Sequence, residues 1–311
     1  MPVSGSALSF DWRQILFVAL GVTAVLYIWL LATEIRQAKR EGERAASPSL
    51  AMLTVGFVTN FFDTLGIGSF ATTTTIFRHW RMVRDERIPG TLNVGHTLPT
   101  IAQAFIYTQL IPVDPRTLIV MIVAAVLGAW LGAGVVARWP RRRVQLGMGG
   151  ALLGAAAIMA LLAAQLVPAG GNLLGLDATR LAVAVTGNLL LGMLMTIGIG
   201  LYAPCMILVS LLGMNPTTAF PIMMGSCAFL MPIASARFVR ARSFDLRASI
   251  GLMIGGLPAV LIAAFIVKTL PLPWIRWLVV VVVLYTAMNL LRTAYRERAA
   301  AGAAPAPEPA S

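Results

Sequence analysis

Acidic residues, cysteines and histidines are scarce in this sequence of 311 residues. It contains 12 Asp and Glu against 24 Lys and Arg, with only two Cys and two His. Cys205 and Cys227 lie in apolar stretches without CxxC or Cys–His spacing, which excludes a disulfide scaffold and a typical zinc site. Charged residues amount to 12% and mean hydropathy is +0.83, so the composition also excludes an ordinary soluble domain.

Long apolar runs occupy most of the chain instead. A membrane-spanning helix needs about 20 apolar residues, and most of the runs reach that length. The sequence therefore predicts an all-α polytopic protein of the cell inner (plasma) membrane, with the lipid bilayer as its surroundings. The predicted apolar runs are 15–32, 50–77, 91–111, 116–137, 144–167, 181–212, 217–236, 248–270 and 274–291.

Basic residues between the runs predict the topology. Cytoplasmic loops carry an excess of Lys and Arg. All the basic clusters reach the cytoplasm only if the runs 50–77 and 181–212 each enter and leave the membrane on one side. This topology puts the C-terminus in the cytoplasm and the N-terminus outside. The basic clusters are 36–44, 78–87, 138–143, 237–247 and 292–298, and the loops nearly free of basic residues are 111–115, 167–179 and 211–217.

A glycine motif occurs twice, as GIGSFA at 66–71 and GIGLYAP at 198–204. Each copy belongs to a predicted repeat that consists of a glycine-broken re-entrant hairpin and three transmembrane helices. Because three crossings is an odd number, the two repeats are expected to be inverted, as in many secondary transporters. The predicted domains are an N-terminal transmembrane helix with a basic linker (1–49), repeat 1 (50–167), repeat 2 (168–298) and a disordered tail (299–311).

The stretch 60–75, NFFDTLGIGSFATTTT, places polar residues in the middle of an apolar run. Irregular backbone and an acid at membrane depth persist only where protein or a cavity surrounds them. A half-helix is expected to restart after each glycine motif, with free backbone N–H groups at 69–71 and 201–203. Two such N-termini facing one point would attract an anion. The predicted substrate-binding residues are Gly66, Gly68, Ser69, Thr72, Thr73, Asn93, His96, Gly198, Gly200, Tyr202 and Ser226.

Asp63 is the acid in this stretch, and it has two interpretations. An acid near the membrane midplane usually marks a proton or ion pathway, which makes Asp63 the candidate proton-coupling residue. Alternatively, its carboxylate caps the broken helix by accepting backbone N–H bonds. His96 is similarly open, because a buried imidazole either relays protons or packs with its hydrogen bonds satisfied. The threonines at 72–75 either donate to the substrate or allow close helix packing.

The sequence resembles the sulfite exporter TauE/SafE family of membrane permeases over about residues 50–295. The resemblance depends on the two glycine motifs, on IPGTLNVGH at 88–96 and on PTTAFPIMMGS at 216–226. Ser69 and Leu201 replace glycines of the family pattern, and Thr72 replaces a proline. The resemblance implies a permease for small sulfur oxyanions or organosulfur anions such as sulfite and sulfonates.

The leading functional hypothesis is therefore a secondary transporter of small anions, a permease or exporter, with proton coupling through Asp63. A cation or metal-ion transporter and a non-transporting membrane scaffold are the alternatives. No GxSG, HExxH or nucleotide-binding GxxxxGK[ST] motif occurs, so we expect no catalytic residue, cofactor or nucleic-acid partner. Met223, Met224 and Cys227 have side chains that can bind copper, but methionines in membrane helices usually serve packing, so we expect no bound metal.

Overall fold

A computed structural model describes residues 11–40, 47–135, 171–196 and 200–269, together with scattered residues of 146–164 and 274–295. Within these residues the secondary structure is helical, apart from an isolated β-bridge between Leu173 and Met214. The predicted runs 144–167 and 274–291 are described only at scattered positions, and the predicted tail 299–311 lies outside the described residues. The described helices are α1 (Trp12–Arg40), α2 (Leu50–Thr64), α3 (Ser69–His79), α4 (Ile88–Leu110), α5 (Pro115–Val135), α6 (Ala178–Met195), α7 (Tyr202–Leu211), α8 (Ala219–Arg240) and α9 (Leu246–Thr269).

Five of these helices are long and apolar enough to cross a membrane, which agrees with the multi-pass prediction. They fall within α1, α5, α6 and α9, and one runs from Pro216 to the end of α8. Helix α4 has 23 residues but carries many buried polar side chains, because it lies between other helices and not against lipid. The predicted runs 50–77 and 181–212 are each divided into two shorter helices, α2 with α3 and α6 with α7.

Three helix pairs make the most extensive contacts. Helix α2 packs on α9 and α6 packs on α5, while α4 packs on α8. Glycines allow two of these pairs to approach closely: a Cβ atom added to Gly192 of α6 would meet the carbonyl oxygen of Ala125 in α5, and one added to Gly255 of α9 would meet that of Leu53 in α2. Small residues at such crossings let helix backbones come near each other in membranes.

Loop contacts define two opposite faces of the bundle. On the first face, Arg247 Nε donates to the carbonyl of Ser47 (3.0 Å), and the backbone N–H of Asp245 donates to Thr91 Oγ1 (2.9 Å). The chain therefore enters α2 and leaves α3 on this face. On the second face, the N–H of Asn215 donates to the carbonyl of Leu173 (2.9 Å), so the chain enters α6 and leaves α7 there.

Candidate functional site

The break between α2 and α3 is made by two glycines. Gly66 has φ +94° and Gly68 has φ +83°, a region that side chains other than glycine rarely adopt. Helix α2 ends at Thr64 and α3 begins at Ser69, so the chain reverses within a few residues. With 15 residues, α2 is ~22 Å long and α3 ~16 Å, which brings the break toward the middle of a bilayer about 30 Å thick.

The second break, between α6 and α7, lies directly against the first. A Cβ atom added to Gly68 would lie 4.0 Å from Cβ of Tyr202, and one added to Gly200 would lie 3.9 Å from Cβ of Phe70. The contact is reciprocal, because each glycine touches the residue two positions after the other glycine. The N-terminal ends of α3 and α7 therefore face each other.

A small cavity of about 20 Å³ lies between these two helix ends. A cavity of this size holds about one water molecule. Most of its lining comes from the two breaks, and the rest comes from α4, α6 and α8. The lining residues are Asp63, Gly68, Ser69, Phe70, Thr100, Met195, Gly200, Leu201, Tyr202 and Met231.

Asp63 is buried at one wall of this cavity and accepts hydrogen bonds on both carboxylate oxygens. The backbone N–H of Ser69 donates to Oδ1 (2.5 Å), and Gln103 Nε2 donates to Oδ2 (3.0 Å). The same Gln103 nitrogen donates to Thr64 Oγ1 (2.9 Å), while its Oε1 accepts from the hydroxyl of Tyr202 (2.8 Å). Asp63 thus has the capping geometry, one of the two interpretations that the sequence left open. The backbone N–H of Ser69 was expected to be free, but it donates to Asp63.

Gln103 consequently links the two breaks through one amide group. Its nitrogen faces Asp63 and Thr64 at the first break, and its oxygen faces Tyr202 at the second. The amide nitrogen is the group that can donate to the carboxyl oxygens of Asp63, and the amide oxygen is the group that can accept from the Tyr202 hydroxyl. Asp63, Gln103 and Tyr202 thus form one buried chain of hydrogen bonds beside the cavity.

His96 belongs to a separate polar cluster. Asn60 Nδ2 donates to the carbonyls of Gly56 (2.7 Å) and Leu252 (3.4 Å), so its Oδ1 faces His96 Nδ1 (3.0 Å). His96 Nδ1 is therefore the donor, and Nε2 accepts from Thr73 Oγ1 (3.1 Å). Each ring nitrogen of a neutral His96 thus has a hydrogen-bond partner, and these bonds connect α4 to α2 and α3.

The family of the chain follows from a comparison with known families. The family model described as Sulfite exporter TauE/SafE matches residues 3–169, more than half of the chain. The chain belongs to this family. Comparisons with curated proteins and with solved structures found no match. Because TauE/SafE proteins are membrane permeases, the chain is a multi-pass membrane transporter by family, in agreement with its apolar helices.

In this TauE/SafE protein, only some of the predicted site residues line the cavity. Those that do are Asp63, Gly68, Ser69, Gly200 and Tyr202. Among the others, Gly66 shapes the first break, while Thr73 and His96 form the separate cluster. Gly198 lies outside the described residues.

The remaining predicted residues hydrogen-bond to groups outside the cavity, although the buried Oδ1 of Asn93 has no partner among the described residues. Thr72 Oγ1 donates to a carbonyl of its own helix turn (2.8 Å), and Asn93 Nδ2 does likewise (2.9 Å). Ser226 Oγ accepts from Asn188 Nδ2 (3.0 Å), which also donates to the carbonyl of Met121 (2.7 Å). Asn188 and Ser226 therefore connect α5, α6 and α8 away from the cavity.

The two halves of the cavity differ chemically. Met195 precedes Gly198 by three residues, as Asp63 precedes Gly66 by three, so an acid and a thioether occupy matching positions. Both line the cavity. Met195 also contacts Cys227, with the two sulfur atoms 3.5 Å apart. Polar groups are thus concentrated in the first half and sulfur-containing side chains in the second.

Proposed function

We propose that this protein is a secondary transporter of small sulfur-containing anions, such as sulfite, sulfonates or other organosulfur anions, and that Asp63 couples transport to protons. The observation that carries the proposal is the meeting of two helix N-termini at a cavity bordered by a buried carboxylate. The family supplies the transporter class, since its model is described as a sulfite exporter.

The helix ends favour an anion over a cation. Each helix N-terminus carries roughly half a positive charge and exposes backbone N–H groups, so two facing ends attract a negative ligand. The described lining residues include no Lys or Arg. Helix dipoles and hydroxyl donors therefore replace a fixed positive charge, and Tyr202 and Ser69 are the polar lining residues nearest to these ends.

Anion binding at this site favours protonation of Asp63. Two like charges ~4 Å apart repel by about 4 kcal/mol at an effective dielectric constant of 20. An anion therefore binds poorly beside an ionised Asp63 and well beside a protonated one. By linkage, the anion and the proton favour each other's binding, which is the requirement for their transport together.

Gln103 extends this coupling to the second break. A protonated Asp63 presents an O–H donor, which favours a turned Gln103 amide with its oxygen toward the acid. The amide nitrogen would then face Tyr202, and the hydrogen bond donated by the Tyr202 hydroxyl would be lost. Protonation of Asp63 would thus loosen the contact between α4 and α7 while the anion is bound.

The packing supports an inverted repeat. If α2, α3, α4 and α5 correspond to α6, α7, α8 and α9, the pair α2 with α9 corresponds to α6 with α5. The pair α4 with α9 corresponds to α8 with α5, and α4 with α8 corresponds to itself. The two hairpins also enter from opposite faces. Such repeats exchange inward-open and outward-open forms by rocking around a central site.

The size of the cavity fits an occluded form of such a cycle. About 20 Å³ holds one water molecule but not a four-atom oxyanion. The ends of α3 and α7 would therefore move apart to admit the substrate. The separate His96 cluster ties α3 to α4 and would move with this first hairpin.

Flux into proteoliposomes tests the proposal. Sulfite, a small sulfonate, acetate and Na⁺ are compared with and without a pH gradient. We expect the uptake of sulfur-containing anions to increase with the pH gradient. In Asp63→Asn, the rate of gradient-driven uptake should fall at least tenfold, while anion exchange persists. An asparagine oxygen still accepts from the Ser69 N–H, so the fold should be retained, at a cost of about 1 kcal/mol.

Asp177→Asn is the matched control, because Asp177 also accepts backbone N–H bonds at a helix start, from Thr179 and Arg180, but lies exposed on the second face. It should leave both flux components unchanged. Gradient-driven uptake that survives in Asp63→Asn would contradict the coupling role. Movement of Na⁺ without any anion would instead support the cation alternative, with Asp63 as its ligand.

A further inference from the structure

A groove of about 850 Å³ runs along the outside of the bundle between α1, α5 and α8. This volume lies within the range of roughly 300–1,000 Å³ that is typical of ligand sites. Its walls are apolar, with Leu26 on α1 and Val123 and Leu127 on α5, and its floor on α8 includes Pro232 and Ala236. The groove shares no lining residue with the central cavity.

The packing of α1 explains the groove. Helix α1 packs on α4 and α8, and α5 also packs on α8, so that the groove lies between α1 and α5. Ala236 and Pro232 have small side chains, so α8 leaves open space between α1 and α5. Only 22% of the apolar span of α1 is buried within the protein, so the groove faces lipid.

One end of the groove is basic. Arg237 and Arg240 line it, and both are exposed in the last turn of α8. Arg237 Nη2 donates to the backbone carbonyl of Trp130 (3.4 Å), which holds the guanidinium at the mouth of the groove. Trp29 and Trp130 also line it, on the two opposite walls. No acidic side chain occurs among the described lining residues.

The length of the groove matches one membrane leaflet. Along α5 its lining runs from Ile119 to Trp130, which is ~16 Å of helix at 1.5 Å per residue. The hydrocarbon core of a bilayer is about 30 Å thick, so the groove covers about half of it. Tryptophan prefers the interface between hydrocarbon and headgroups, and arginine reaches lipid phosphates there.

We propose that this groove is a binding site for an anionic phospholipid, with an acyl chain between α1 and α5 and the phosphate at Arg237 and Arg240. The acyl chain gives little selectivity, because the surrounding lipid is equally apolar. The headgroup determines which lipid binds, because two arginines without an acidic neighbour in the groove favour a lipid with net negative charge over a zwitterionic one. The proposal does not depend on the transported substrate.

Tryptophan quenching by brominated lipid tests this site. The purified full chain is placed in phosphatidylcholine nanodiscs that contain increasing fractions of phosphatidylglycerol with brominated chains. Subtracting the signal of a Trp29→Phe/Trp130→Phe variant isolates the two groove tryptophans. We expect saturable quenching at a low fraction of brominated phosphatidylglycerol, whereas brominated phosphatidylcholine quenches only in proportion to its fraction.

An Arg237→Gln/Arg240→Gln variant should need about 30-fold more phosphatidylglycerol for half-quenching, since each arginine contributes roughly 1 kcal/mol of attraction and about 2 kcal/mol changes an affinity by about that factor. Arg81→Gln/Arg84→Gln, which removes two exposed arginines outside the groove, should behave as the parent does. Equal quenching by both lipids, or no shift in the groove variant, would overturn the proposal. So would absent quenching together with a dimer mass, because a second copy would then cover the groove.

Discussion

Two glycines at matching positions of the glycine motifs are expected to differ in how well they tolerate a side chain. Gly68 has φ +83° and ψ +127°, whereas Gly200 is not among the glycines with positive φ. Gly68→Ala should therefore lower the free energy of unfolding by about 1–3 kcal/mol through backbone strain. Gly200→Ala adds only an ordinary contact, 3.9 Å from Phe70, and should cost less than about 1 kcal/mol.

Thermal melting of both variants in the same detergent measures this difference. The melting temperature of Gly200→Ala should be close to that of the parent, and the melting temperature of Gly68→Ala should be clearly lower than both. Equal losses in the two variants would mean that space at the helix ends, and not backbone conformation, decides the effect.

At the residue scale, the sequence singled out the acid of the site and offered Gln103 as a candidate for the polar lining, but it did not pair the two. Asp63 is conspicuous because an acid inside an apolar run requires an explanation. Gln103 is uncharged and lies 40 positions away along the chain, so only the fold brings its amide to the carboxylate. Met195 resembles any other apolar helix residue, and its place in the cavity was likewise missed.

At the scale of helices, close packing at glycine is expected to decide stability. A Cβ atom at Gly192 would meet backbone atoms of Ala125, and one at Gly255 would meet backbone atoms of Leu53 and Phe57. Gly192→Val and Gly255→Val should each force a helix pair apart and cost about 3 kcal/mol or more. Similar losses are expected because the two crossings correspond to each other in the proposed repeat.

Gly21→Val serves as the control, because a Cβ atom at Gly21 of α1 meets nothing within 4 Å. Fluorescence-detected size-exclusion after heating measures the remaining folded protein. The control should elute like the parent, and both crossing variants should be lost at lower temperatures. A stable Gly192→Val would show that α5 and α6 can separate without unfolding the bundle.

The helices themselves were largely predictable, because apolar length and loop composition survive any packing arrangement. The predicted run 91–111 corresponds to α4 and 116–137 to α5, within a few residues at each boundary. The division of the runs 50–77 and 181–212 followed from their glycines. The lateral order of the helices was not predictable, since periodicity does not reveal that α2 packs on α9.

At the scale of the whole molecule, a disulfide across the two breaks should arrest the transport cycle. Cβ of Phe70 lies 3.9 Å from the Cβ position of Gly200, within the 3.5–4.5 Å that disulfides need. In a background with Cys205→Ala and Cys227→Ala, Phe70→Cys/Gly200→Cys should form this bond on oxidation. We expect at least tenfold slower anion flux, because α3 and α7 can no longer part.

Reduction of the disulfide should restore the flux, and each single cysteine variant should respond to neither oxidant nor reductant. Disulfide formation is measured by thiol labelling of the denatured protein. A fully oxidised double variant with undiminished flux would contradict movement of the two helix ends as a transport step.

The unequal pair Asp63 and Met195 also bears on transport kinetics. In an inverted repeat with identical halves, a two-fold rotation would relate the inward-open and outward-open forms, and they would have equal energy. An ionisable acid in one half and a thioether in the other remove this degeneracy. The carrier should consequently rest in one preferred orientation, and its apparent substrate affinity should differ between the two sides of the membrane. Such a carrier would transport the anion at different rates when the same gradients of substrate and protons are imposed first in one direction and then in the other.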